Sequence, residues 1–322
     1  MDIRLRTLNP DQDYPRLADL LSTTEFEPVS PDMLLARQQS APPAQVQHTT
    51  LAISTQNSVL GFSQILHNPW VHRGQFWISI VVDPAWRRRG IGSALYDHAL
   101  AFLDTQEANL LITQVRDNSA PGLEFALHRG FTLTSYTLES WLYLSDFDDA
   151  RFHDFPERLQ ASGIQFFTLA DIEATNEHQR WLYDLHRRIY ETGSNSAHKK
   201  RVSISSFHDF QRMLFLAPWF RPEGQFIAAD GERWVGTATV GHYINCNSMH
   251  NTFTGVERAY RGRGIALALK LLAIRYARRR RADYILTRND AENAAMLSIN
   301  RKLGYQIKGG YFSLACRIEF AH

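Results

Sequence analysis

The sequence predicts an α/β protein built as two tandem domains, each a mixed β-sheet covered by helices. Three observations carry this prediction. A strand, a glycine turn and a helix-like run occur twice, as "VVDPAWRRRGIGSAL" and "TGVERAYRGRGIALAL". The two occurrences keep one spacing with a second pair of landmarks: Gly90 and Gly264 are 174 positions apart, and so are Gly130 and Gly304. Two landmarks on one offset indicate an internal duplication. Alternating apolar and polar runs also interleave with helix-period runs along the whole chain.

The elements follow in matched order. Ile3–Leu8 opens copy one as a strand and Ile164–Leu169 opens copy two. Helical stretches come next, and copy two carries 13 extra residues there, assigned to the region of "SSFHDFQRMLFLAPWFRPEG". Two alternating strands follow in each copy, "TTLAIS" and "VLGFSQIL", then "QFIAAD" and "WVGTATVGHY". A third strand, "FWISIVVDP" or "MHNTFTGVE", runs into the glycine turn. The helix beyond it places Ile91, Leu95, His98, Ala99 and Phe102 near one face, and Ile265, Leu269, Leu272 and Tyr276 in copy two. A strand, a helix and a closing strand complete each copy. The polar stretch "SDFDDARFHDFPERLQASG" reads as a linker with a short helix, so the domains are expected at 1–150 and 151–322.

Composition narrows the function. The chain has 322 residues, 44% of them apolar, enough for two packed cores. A net charge of +2 supplies no broad field for coating nucleic acid or a membrane surface. No run of about 18 apolar residues occurs, so no membrane span is expected. "MDIRLRTL" lacks the apolar stretch of a signal peptide. Cys246 and Cys316 form no metal or disulfide spacing and read as reduced thiols of a cytoplasmic protein. No metal is expected.

The glycine turn is an anion site by construction. A helix N-terminus has about four unpaired N–H groups and roughly half a positive charge. Glycines before it let a phosphate approach the backbone, and adjacent arginines add charge-assisted bonds. The P-loop pattern is absent. So is the third glycine of a dinucleotide fingerprint, where Leu95 and Leu267 stand.

What remains resembles the GNAT acetyltransferase superfamily. The resemblance rests on "VVDPAWRRRGIG" and "TGVERAYRGRGIA", and on "NSAPGLEFALHRGF" and "NAAMLSINRKLGY" further along. It implies two tandem GNAT-like domains, each with a partly splayed sheet, and acetyl-CoA as acyl donor. In copy one it assigns coenzyme A binding to Val82, Arg87, Arg88, Arg89, Gly90, Ile91, Gly92 and Ser93. In copy two it assigns it to Thr254, Gly255, Val256, Arg261, Gly262, Arg263, Gly264, Ile265 and Ala266, the glycine turns holding the pyrophosphate and the splayed strands the pantetheine arm. The family's pantetheine-contacting Asn matches Asn293, with Asn118 beside the counterpart Ser119 in copy one, where Pro121-Gly122 is expected to disturb the helix start.

Acyl transfer to an amine needs a base, because an alkylammonium is only about 0.04% neutral at pH 7. His250 near the start of the copy-two motif strand has a suitable intrinsic pKa, and the constant offset matches it to Phe76. His242 is a weaker candidate. The family's acidic Tyr position holds Asn300 in copy two and Ala126 in copy one, with Tyr305 and Tyr311 as substitutes. Asn300 is placed to hydrogen-bond the sulfur or a water. These residues favour copy two for chemistry, by direct attack in a ternary complex. The expected partners are acetyl-CoA and a small amine. The alternative is a non-catalytic coenzyme A-binding sensor or scaffold. Trp181, Tyr183, His186 and Tyr190 line either an acceptor pocket or the core. The run Arg278–Arg281 lies too far from Gly264 to share its phosphate; it reads as a solvated helix end, or as an RNA contact.

Overall fold

The computed structural model describes residues 2–42, 44–192, 206–243 and 247–320. The chain forms two compact units, Met1–Thr134 with Tyr311–His322, and Ser135–Gly310. Repeat halves at 1–150 and 151–322 therefore do not coincide with the packing units. Each unit takes its last strand from the other repeat.

In the N-terminal unit, β1 (Arg4–Thr7), β2 (Val46–Ile53), β3 (Val59–His67) and β4 (Gln75–Val82) pair antiparallel in that order. β5 (Leu110–Arg116) runs parallel to β4. Its other edge is closed by Tyr311–Arg317 of β12 (Gln306–Arg317), antiparallel from Arg116 to Leu110. α1 (Pro10–Ser22) and α2 (Pro31–Gln39) bury Tyr14, Leu17, Leu20 and Leu34 against Leu51, Ile53, Phe62 and Val81 on one face. α3 (Ile91–Thr105) and α4 (Ala120–Leu127) join a second core with Ile65, Phe76 and Leu314. On α3 the buried positions are Ile91, Leu95, Tyr96, Ala99 and Leu103; His98 is exposed, because the helix rotates its apolar stripe by one position. Pro121 does not disturb α4. It lies in the first turn, where a missing N–H costs nothing.

The C-terminal unit repeats the plan. β7 (Ile164–Thr168), β8 (Gln225–Asp230), β9 (Arg233–Tyr243) and β10 (Ser248–Val256) pair antiparallel, and β11 (Tyr284–Asp290) runs parallel to β10. Its free edge takes Thr137–Tyr143 of β6 (Thr132–Tyr143), the closing strand of the first repeat. α6 (Asn176–Glu191) and α7 (Phe207–Leu214) cover one face through Leu182, Leu185 and Phe210. α8 (Ile265–Arg279) covers the other through Ile265, Leu269 and Ile274, with α9 (Ala294–Leu303) beside it. The linker supplies a short helix, α5 (Phe155–Ala161). No helix among the described residues is long and apolar enough to cross a membrane.

Candidate active site

The two glycine turns are built alike. After β4, the Asp83 side chain caps a 3-10 turn at Pro84–Trp86; after β10, a 3-10 turn spans Arg258–Tyr260. Arg87 then donates from Nε to the Val82 carbonyl at 3.1 Å, and Arg261 donates to the Val256 carbonyl at the same 3.1 Å. Arg89 lies over the Trp86 ring and Arg263 over the Tyr260 ring, each at 4.8 Å. Gly90 and Gly264 both adopt left-handed φ, +82° and +85°. The preceding left-handed position is Gly262 in one copy and Arg88 (φ 62°) in the other. The first helical bonds run from Ala94 N–H to Gly90 O at 3.0 Å and from Ala268 N–H to Gly264 O at 3.1 Å. The amides before them face outward from the helix end, in an anion cradle. Arg87 and Arg89 brace this turn through the Val82 carbonyl and the Trp86 ring, and all three arginines of copy one are exposed. Ser93 accepts from Arg129 at 2.8 Å.

Behind each turn the parallel strand pair comes apart. β4 and β5 register for three residues, Gln75–Trp77 against Leu110–Ile112. β10 and β11 do the same, Ser248–His250 against Tyr284–Leu286. Both strands continue past the last pair, so each sheet opens a wedge that leads from its apex to the glycine turn. The separating strand edges of such a wedge suit an extended ligand that lies between them as an added strand would.

The wedges differ at the apex. β4 pairs with β3 without interruption, whereas β10 carries a bulge against β9 between Asn251 and Phe253, leaving Thr252 without a register partner. The bulge adds one residue. Trp77, not Phe76, is therefore the structural counterpart of His250, since both end the paired segment. The constant offset missed this because it holds only from the bulge onward.

Around the C-terminal apex lies a buried polar group. Asn251 donates from Nδ2 to the Thr239 and Phe253 carbonyls, at 3.0 and 2.9 Å, on the two sides of the bulge. Its Oδ1 accepts from Thr254 Oγ1 at 3.0 Å and from Lys270 Nζ at 2.6 Å. Lys270 is 1% exposed, and burial pulls its pKa down to about 7. Its Nζ also sits 5.0 Å from the centre of the Tyr305 ring. The Tyr305 hydroxyl is buried without a partner among the described residues, and burial raises its pKa. Asn300 on α9 is buried too; it donates to Asn289 of β11 at 2.7 Å, and its Oδ1 has no partner among the described residues. At the 174 offset the N-terminal unit has Tyr96, Phe131 and Ala126 in place of Lys270, Tyr305 and Asn300.

Other predicted residues fall as follows. Asn293 caps α9, accepting from Met296 N–H at 3.2 Å, while Asn118 is exposed and Ser119 holds the capping position. His250 is half-buried on the face of β10 opposite Met249, and so opposite α8. His242 lies on β9, its pKa lowered by burial and then by Arg221 and Arg280. Cys246 lies outside the described residues. No group of His, Cys, Asp or Glu suited to a metal occurs among those described.

A family model described as "Acetyltransferase (GNAT) family" matches residues 14–131 and again 182–305. The chain belongs to the GNAT acetyltransferase family. It is an acyltransferase of the tandem type, and the family reaction moves an acetyl group from acetyl-CoA to an amine. Among curated relatives, a mycothiol acetyltransferase of Thermobifida fusca is 25% identical over 240 residues, covering 71% of this chain and 70% of the relative. One of Rothia mucilaginosa is 26% identical over 260 residues, covering 71% and 68%. A GCN5-related N-acetyltransferase from Sphaerobacter thermophilus matches the fold with a TM-score of 0.75 at 18% identity, over 99% of this chain and 97% of that one. A tandem GNAT protein from the clavulanic acid biosynthesis pathway matches over the full length of both, with a TM-score of 0.72 at 18% identity.

Within this GNAT pair, several expectations resolve. Tyr311 belongs to the N-terminal unit, where its hydroxyl donates to Glu25 at 2.9 Å. The arginine run is tied to its own unit: Arg278 approaches Asp149 at 3.8 Å and Arg280 approaches Glu223 at 4.0 Å. Tyr183 and His186 enter the core, with His186 stacked on Phe253 at 4.2 Å; Trp181 is 40% exposed. Sequence reasoning missed Lys270 and Asn251. The signal was a lone lysine inside the apolar run "IALALKLLAI".

Proposed function

We propose that the protein acetylates a primary amine by direct attack on bound acetyl-CoA in a ternary complex, with chemistry in the C-terminal unit. The observation that carries this reading is the bulge at the apex of the β10–β11 wedge, which β4 lacks. A bulge turns backbone groups out of the ladder. An N–H so released at the wedge apex suits the thioester oxygen, on which negative charge develops during attack.

The chain's residues divide the remaining work. The N–H groups at Gly262–Ala266 hold the pyrophosphate, and the edge of β10 beyond its last pair with β11 lies along the pantetheine arm. His250, at the last paired position, takes the proton from the attacking ammonium directly or through water. As the C–S bond breaks, the second proton of the attacking nitrogen passes to the sulfur, and the Asn300 Oδ1, without a partner among the described residues, can accept from the coenzyme A thiol so formed. The N-terminal unit keeps the glycine turn and wedge but has Tyr96, Phe131 and Ala126 where the C-terminal unit has Lys270, Tyr305 and Asn300. It binds coenzyme A without turning over. The relatives named mycothiol acetyltransferase make the desacetyl form of mycothiol the first acceptor to try.

Calorimetric titration with acetyl-CoA tests the binding half, using Gly90→Asp and Gly264→Asp to close each turn by charge. Thiol release with a panel of amines tests the chemistry. Gly264→Asp is expected to abolish turnover, and Gly90→Asp to leave it measurable. Turnover that follows Gly90 instead moves the active site to the N-terminal unit. Binding without release for any amine favours the coenzyme A sensor.

A further inference from the structure

A lysine in the core is costly unless something uses it, and Lys270 is 1% exposed with no ion pair among the described residues. Its bond is to Asn251 Oδ1, at 2.6 Å. That carboxamide spans the bulge: its Nδ2 takes the carbonyls of Thr239 and Phe253, and Thr287 Oγ1 donates to the Asn251 carbonyl at 3.0 Å across the opening wedge. Thr287 is the first residue of β11 beyond the paired segment. Asn251 thus ties together β9, both arms of the bulge and the first free step of β11. Lys270 fixes its orientation from α8. With Oδ1 receiving Nζ and Thr254 Oγ1, the amide cannot flip without losing both bonds.

We propose that Lys270 is a positioning residue that, acting through Asn251, holds the β10 bulge so that its backbone N–H meets the thioester oxygen of acetyl-CoA. The proposal rests on the reading of the C-terminal unit as the active site. Lys270 touches neither substrate. Its effect is on the direction of a backbone donor, where a displacement of about 1 Å carries a large loss. The N-terminal unit, with Tyr96 at the equivalent place and no bulge, has nothing for such a lysine to hold.

The test needs no acceptor. Acetyl-CoA labelled with carbon-13 at the acetyl carbonyl is bound to the full-length protein, and its carbonyl stretch is read by isotope-edited infrared spectroscopy. The difference between the protein and Gly264→Asp isolates the C-terminal site. There the band is expected below the frequency of free acetyl-CoA, as a strong donor polarises the carbonyl. In Lys270→Met it is expected to return toward the free value, with acetyl-CoA affinity by calorimetry and melting temperature not reduced. Asn251→Leu, a second route should the first variant fail to fold, is expected to show the same return, and the double variant no more. A Gly264-dependent low-frequency band that ignores both substitutions overturns this proposal alone. A band unaffected by Gly264→Asp overturns the assignment of the C-terminal site as well.

Discussion

Lys270 makes a prediction about stability whose magnitude follows from its surroundings. The ammonium is enclosed by apolar groups, one amide oxygen and a tyrosine ring, and burial lowers its pKa from 10.5 to about 7. An unfolded chain therefore binds this proton more readily than the folded one between pH 7 and 10.5. Stability contributed through this group rises with pH across that window and is lost below it. At 1.36 kcal/mol per pH unit, the gap amounts to about 5 kcal/mol of cost at pH 6, as an upper figure. Replacing Lys270 by Met removes the charge, keeps the apolar stem and forfeits one hydrogen bond worth about 1 kcal/mol. Lys270→Met is thus expected to be more stable than the parent by about 2–4 kcal/mol at pH 6, with the advantage shrinking steadily and gone by about pH 10. Scanning calorimetry on both proteins at matched pH values is the assay, because every other titrating group cancels in the difference. A difference that stays constant from pH 6 to 10, or a variant less stable at pH 6, refutes the reasoning.

Three further outcomes are expected. His186 is held neutral by burial, its pKa lowered to about 3, so His186→Phe should flatten the loss of stability as pH falls from 6.5 toward 3, measured by urea unfolding. Glu257 is buried beneath Arg188 and Arg233 (2.8 Å) at the entrance to the C-terminal turn, and both arginines reach solvent; Glu257→Gln should cost about 1–2 kcal/mol in unfolding free energy and weaken acetyl-CoA binding in calorimetry. Ending the chain after Gly310 removes the strand that closes β5, so hydrogen exchange at Leu110–Arg116 should lose its protection.

The duplication, the alternation of strands and helices, and the two glycine turns were legible in the chain because they are local. A left-handed glycine before a helix, an arginine three residues earlier and an apolar stripe on α8 need only neighbours within a turn or two. The closing strands were legible as strands, but their destinations were not. Tyr311–Arg317 pairs with β5, some two hundred positions earlier, and nothing within the strand names its partner. The bulge at Thr252 hid for a related reason: one added residue is visible only against the strand it fails to pair with. Periodicity and turn chemistry thus determined what each segment becomes and where the left-handed glycine turns fall. Only packing in three dimensions decided which strand completes which sheet. It also decided that Lys270, Asn251, Tyr305 and Asn300, far apart in sequence, gather at one wedge, since burial and hydrogen bonding depend on neighbours that the order of residues does not disclose.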